Sequence, residues 1–285
     1  MGVCNILCTS AFRKEKIRTV HIDTSLQIER CKAPKKANVV EGALRDFGFK
    51  STSSFAKLEF KGAWLQDLAF LYKASQSVER LEELLSYVDD HLGANIKTHN
   101  RLKRCIQSII KSLSTVKGLP YEAVLVRVRN HILNMIDGAY AWWESSVDHE
   151  FNGTACVRAS EKPTLRGSKI DVSIPQCKPE EIKCRIIEFF ENYKTYFINI
   201  KLAISGLEKP SNQLVEAKDI IENAEKNPKY LCGKGRCRKL GDVLIAMDGL
   251  KMDYFAANND KEWILLSEVL DKHLINPVRE AKTDS

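Results

Sequence analysis

The sequence predicts an α/β protein, a sheet flanked by helices, with an all-helical stretch set into the middle of the chain. Three observations predict it. Short extended runs alternate with amphipathic helical patterns near both ends, long helical periodicities fill the middle from about residue 75 to 205, and two of the extended runs lead into an acid. At 285 residues and 44% hydrophobic content, the chain has ample material for a core.

Taken in order, residues 1–16 read as a loose basic leader. IRTVHID (17–23) reads as a short strand closing on Asp23. A helix is expected from about Asn38, because Val39, Val40, Ala43, Leu44 and Phe47 share one face and Gly48 ends it. The extended run FKSTS leads into a further helix striped by Phe55, Leu58, Leu65, Leu68 and Leu71, with Glu59 near its start.

The middle is helical throughout on this reading. Val78, Leu81, Leu85, Val88 and Leu92 make one stripe, and Leu102, Ile106, Ile109 and Leu113 another. A third helix starts at Pro120, a residue suited to a first turn, and runs to Trp143. Residues 151–178 read as a long loop, and Pro179 opens a helix reaching Phe197. After Pro210 come a helix to about Lys226, a short extended YLC, the basic loop GKGRCRK, the helix GDVLIAMDGLKM, a strand YFAAN, and a final helix behind Asp260. The implied organisation is one α/β domain from 17–75 plus 205–285, with 76–204 as a helical insertion.

The formal charge of +7 suits a polyanionic partner without demanding one. Nine cysteines, an odd number, and no signal peptide or membrane-length apolar run point to a soluble cytoplasmic protein with free thiols. A structural zinc at Cys232 and Cys237 is not expected, because the pair lacks further ligands nearby in sequence. Lys234 lacks the spacing of a nucleotide-binding P-loop. Trp142 and Trp143 suit helix packing, Asn152-Gly153-Thr154 is a sequon without use in a cytosol, and Asp248 and Asp253 are expected at the surface.

Asp23 closes the first strand, Asp242 opens a helix and Asp260 follows the last strand. Ligand sites of open parallel sheets form in the crevice outside the carboxyl ends of the strands, where such loops meet. Carboxylates converging there repel one another unless a hard cation neutralises them. Taken singly, each acid also suits a helix cap, a turn or a solvated face.

The contexts of these acids resemble a family. HIDTS (21–25), SSFAKLE with FKG after it (53–62), LGDVLIAMDGL (240–250) and FAANNDKEW (255–263) are similar to the four acidic blocks of PIN-domain proteins, metal-dependent nucleases that include VapC-type toxins. The resemblance implies a parallel sheet of order 3-2-1-4-5 and Mg²⁺ or Mn²⁺ at Asp23, Glu59, Asp242 and Asp260, with Thr24 and Asn259 as lesser polar members. It further implies RNA as the substrate. Gly241 stands where the family has Ser, Asn259 where Thr is common, and 183 positions separate Glu59 from Asp242, far more than in compact members.

Lys234, Arg236, Arg238 and Lys239, just before Asp242, are the expected phosphate contacts. The expected function is a metal-dependent endonuclease, with a protein partner possible at the helical insertion and no membrane partner. The alternative is a catalytically inactive PIN-like module binding through that insertion. A phosphohydrolase with an Asp23 nucleophile would want a second Asp where Ser25 stands.

Overall fold

The structure, a computed structural model, describes residues 17–32, 34–92, 102–103, 105–107, 121–159, 164–166, 169–174, 177, 184–233, 235–258 and 260–277. The basic leader, Lys234 and Asn259 lie outside these residues.

The first strand, β1 (Thr19–Ile22), is covered on both faces: Val20, His21 and Ile22 are fully buried, as expected of a central strand in a parallel sheet. His21 is neutral there. Its Nδ1 lies 2.9 Å from Ser51 Oγ, and burial lowers its pKa to about 3. Gly249 packs directly on this ring; a Cβ there would come within 2.6 Å of it.

Helix α1 (Thr24–Lys32) follows β1 at once, and α2 (Pro34–Leu44) begins with its proline, earlier than the apolar stripe suggests. Leu26, Val40, Leu44 and Phe47 cover one face of β1. Strand β2 (Phe49–Ser53) ends on Ser53, whose hydroxyl accepts the Phe55 N–H at 3.0 Å and caps α3 (Ser54–Phe60). A π-helical turn, Lys61–Leu65, joins α3 to α4 (Gln66–Gln76), and its wider winding keeps Leu58, Leu65, Leu68 and Leu71 all inside.

Helix α5 (Leu81–Leu92) and the long α6 (Tyr121–Ser146) follow. β3 (His149–Phe151) is a strand within what reads as helix and loop in the sequence. β4 (Thr164–Arg166) and β5 (Lys169–Asp171) make a separate antiparallel hairpin. The helix expected from Pro179 to Phe197 is two, α7 (Ile186–Asn192) and α8 (Lys194–Ser205), broken at Tyr193; Pro179 itself lies outside the described residues. α9 (Asn212–Lys226) is capped by Ser211. The expected extended YLC is instead the end of a 3-10 turn, Pro228–Leu231, capped by Asn227, and only Cys232 is extended. Then come α10 (Arg236–Lys239), α11 (Gly241–Asp248), β6 (Tyr254–Ala256), α12 (Asp260–Val269) and β7 (His273–Ile275), the last a strand with no alternating pattern to announce it.

The main sheet is wholly parallel, in the order β3-β2-β1-β6-β7. In chain numbering this differs from the expected 3-2-1-4-5, because the β4–β5 hairpin takes two numbers and stays outside the sheet. Helices cover both faces. The stretch expected as an insertion shares the sheet's core: β3 is the sheet's edge strand, and Ile132, Ile136 and Trp143 of α6 join the cluster that holds Phe255 and Trp263. Trp143 meets Phe60 edge-on at 5.7 Å, the packing role expected of it.

Asp248, expected at the surface, is buried. Its Oδ2 accepts from the Ser53 hydroxyl and its Oδ1 from the Gly153 N–H at 3.1 Å, tying the end of β2 to the turn after β3. Burial raises its pKa to about 6, against both hydrogen bonds. Asn152 of the sequon works in the same turn, accepting from Ser54 Oγ at 3.0 Å and from the Cys156 N–H at 2.8 Å. Asp253 is half-buried and bonded to Thr19. Among the described residues no helix is long and apolar enough to cross a membrane.

Candidate metal centre

Asp23 stands immediately after the central strand, and its N–H donates to Ala256 O at 2.9 Å, holding the turn beside β6. Its side chain is 2% exposed. The Ser25 N–H (2.9 Å) and the Ser25 hydroxyl both donate to Oδ2 in a local Asx-type turn. Ser25 Oγ accepts in turn from the Asn258 N–H at 2.9 Å, so the first and last acidic blocks are bonded to each other. Asp23 Oδ1 is buried and has no hydrogen-bond partner among the described residues.

Glu59 arrives from α3, and Asp242 from the first turn of α11. One carboxylate oxygen each from Asp23, Glu59 and Asp242 lies within 4.8 Å of the others. Thr24 Oγ1 stands 3.1 Å from Glu59 Oε2 and 3.2 Å from Ala56 O, able to donate to either. Gln213 Nε2, on α9, donates to Asp242 Oδ2 at 2.6 Å. Gly241 has a steric reason here: a Cβ would fall 1.8 Å from Glu59 Oε1, so a serine in its place would push that carboxylate out of the cluster.

The electrostatics are those of acids confronting acids. Burial raises the pKa of all three. For Glu59, Asp242 and Asp23 add repulsion, opposed by the Thr24 hydrogen bond and by the Arg238 guanidinium. Asp242 is pushed up to about 8, after burial by Asp23 and then by Glu262. By surface area Glu59 and Asp242 are only half-buried, so the cluster opens to solvent on their side while Asp23 forms its floor. An all-oxygen donor set with an unpartnered buried oxygen at its base fits a hard divalent cation.

The remaining expected members distribute as follows. Asp260 opens α12, and its side chain, like all of Asn259 and Lys234, lies outside the described residues. Arg236 is turned inward, bonded to Tyr230 O and stacked 3.7 Å above the Tyr230 ring. Lys239 is exposed and pairs with Glu216 at 3.1 Å. Among the described members of the basic loop, Arg238 lies nearest the acids: its Nη2 would lie 3.7 Å from a Cβ at Gly62, and its charge opposes the rise of the Glu59 pKa.

Two neighbours of the centre escaped the sequence reading. Gln213 carries no local signal, since nothing in its helix points to a residue 29 positions away. Glu262 had one, for it stands inside the last acidic block; it is 6% exposed, accepts from Ser211 Oγ and repels Asp242. Comparison of the chain with protein-family models, with curated proteins and with solved structures returned no match.

Proposed function

We propose that this chain is a metal-dependent endonuclease of the PIN type that hydrolyses phosphodiester bonds in RNA. The observation that carries the reading is the meeting of Asp23, Glu59 and Asp242 outside the carboxyl ends of β1 and β2, with Asp23 Oδ1 buried and unpartnered at its base. Buried polar atoms are nearly always satisfied, so an orphan oxygen on a carboxylate that stands beside two other acids asks for a cation. The parallel sheet with helices on both faces is compatible with the fold that the resemblance implies.

In this reading Asp23, Glu59 and Asp242 hold Mg²⁺ or Mn²⁺, with Asp260 as the fourth acid. A divalent cation there supplies Lewis-acid activation of water and relief of charge at phosphorus. The chain's own groups do the positioning. Ser25 holds Asp23 by Oδ2 and leaves Oδ1 open, Thr24 orients Glu59, and Gln213 holds Asp242. Arg238, at the solvent side beside Glu59, meets a phosphate oxygen of the substrate. Water adds to phosphorus as the P–O ester bond breaks, leaving a phosphomonoester and a hydroxyl, so no protein nucleophile is consumed.

The test is incubation of the purified full chain with labelled single-stranded RNA in Mn²⁺, in Mg²⁺ and in EDTA, beside Asp242→Asn. Cleavage that needs the metal and vanishes in the variant is the expected result. RNA binding without cleavage by either protein would discard the nuclease and favour a binding module.

A further inference from the structure

Cysteines on three separate segments, Cys156, Cys177 with Cys184, and Cys232 with Cys237, lie on chain that packs around the basic loop. Cys232 and Cys237 bracket that loop. Its glycines, Gly233 and Gly235, take positive φ of 75° and 69°, and the Arg236–Tyr230 stack and hydrogen bond fold it back on itself. Cys184 directly precedes Arg185, whose N–H donates to Thr154 O at 2.6 Å, two residues from Cys156. The helix that follows Cys184, α7, packs on the Pro228–Leu231 turn that delivers Cys232. Cys177 stands three residues beyond Ile174, which meets Gly62 together with Arg238, the neighbour of Cys237.

We propose that Cys177, Cys184, Cys232 and Cys237 form a structural zinc site. All four are half-buried free thiols. The ligands that the Cys232/Cys237 pair lacks in sequence are supplied by the segment carrying Cys177 and Cys184. Four residues separate Cys232 from Cys237, a spacing common between zinc-ligand cysteines, and Gly233 and Gly235 among them take left-handed φ.

The thiols also sense one another. Burial comes first in raising the Cys232 pKa, followed by Cys184 and Cys177; Cys237 is pushed to about 11 by burial, then by Cys156, with Cys177 and Cys184 adding. Arg158, Arg236 and Lys229 supply positive charge around them. Among the described residues no three of the sulfurs lie within the 4.8 Å spread of the carboxylate trio, so a bound ion would require the thiols to turn toward one another. The soft sulfur set and the hard oxygen set thus select different metals within one fold. The zinc would fasten the loop that presents Arg238 and leads into Asp242, and it stands whether or not the acids cut RNA.

The experiment is elemental analysis of the full chain expressed with added zinc and purified without chelator, followed by cobalt substitution. The expected result is about one zinc per chain, unchanged in Asp23→Asn and Cys31→Ser and lost in Cys184→Ser and Cys232→Ser. The cobalt form should show an intense thiolate charge-transfer band and the visible bands of tetrahedral coordination. If the serine variants do not fold, the wild-type zinc content and cobalt spectrum decide alone. Wild-type protein without zinc or a thiolate–cobalt band, zinc retained in both serine variants, or an unreduced mass lighter by one disulfide among these cysteines would each overturn the site.

Discussion

Two groups of acid lie at the same end of the sheet, and they are withdrawn from solvent on different terms. Asp248 is met by donors on both oxygens, Ser53 and Gly153, and so serves as a pin between β2 and the turn after β3. Asp23, Glu59 and Asp242 are met largely by each other. Their donors, Ser25, Thr24 and Gln213, each hold one oxygen and leave Asp23 Oδ1 with none. Burial raises the pKa in both places, so burial alone does not tell a structural acid from a metal-binding one. What separates them is whether the remaining oxygens face hydrogen-bond donors or other negative charges.

The contrast is broken most forcefully by Asp23→Asn. RNA cleavage should fall by roughly 10²-fold or more, beyond the range typical for residues that only orient a ligand. Thermal stability in EDTA should hold or rise, because one of three repelling charges is gone. Mg²⁺ or Mn²⁺ should raise the melting temperature of the wild type and leave that of the variant unmoved. A metal-induced rise of equal size in both proteins would remove Asp23 from the site.

Asp248→Ala should do the reverse, leaving the metal-linked rise intact while lowering stability by about 1–3 kcal/mol, since the buried Ser53 hydroxyl and the Gly153 N–H lose their acceptor. Chemical denaturation, with and without cation, reads both halves of that statement. The acid–pin distinction also has a pH signature. Asp248 has a folded-state pKa near 6 against an ordinary 3.8, so the folded state holds its proton more tightly. Its contribution to stability is therefore fully present below about pH 4 and is lost as pH rises through 6, amounting to about 3 kcal/mol. The stability of the wild type relative to Asp248→Asn should fall across that window; a flat difference would show that the shift is not there.

Smaller effects test the supporting residues. Gln213→Ala should weaken metal affinity or cleavage by about 10- to 100-fold while scarcely changing the fold. Gly241→Ala should be gentler still on stability, because the atom it strikes is the mobile end of Glu59, yet it should raise the metal concentration needed for cleavage. Isothermal titration with Mn²⁺ measures both, and an unchanged affinity in Gly241→Ala would mean that Glu59 stays seated despite the added methyl.

Much of this arrangement was legible before any coordinates. The strand ending at Asp23, the helix carrying Glu59, and the helix opening at Asp242 follow from local patterns of one or two turns, and each begins within about two residues of its expected place, though the last ends at Asp248 and not Met252. Elements stabilised by remote partners were not legible. β3 and β7 are three residues long and exist because neighbouring strands complete their hydrogen bonds, and YLC is an extended run on paper that curls into a 3-10 turn beneath the Asn227 cap.

The same division governs the sites. Sequence by itself determined which residues could carry chemistry: the acids in their blocks, the basic loop, the free cysteines. Only the tertiary structure decided which of them meet. It separated Asp248 from the acids it resembles, turned Arg236 inward, brought Arg238 beside Gly62, and brought Gln213 to Asp242. The physical reason is that propensity and periodicity act over a few residues, whereas the partners of a buried charge or thiol are chosen by packing across the sheet, between segments tens to hundreds of positions apart.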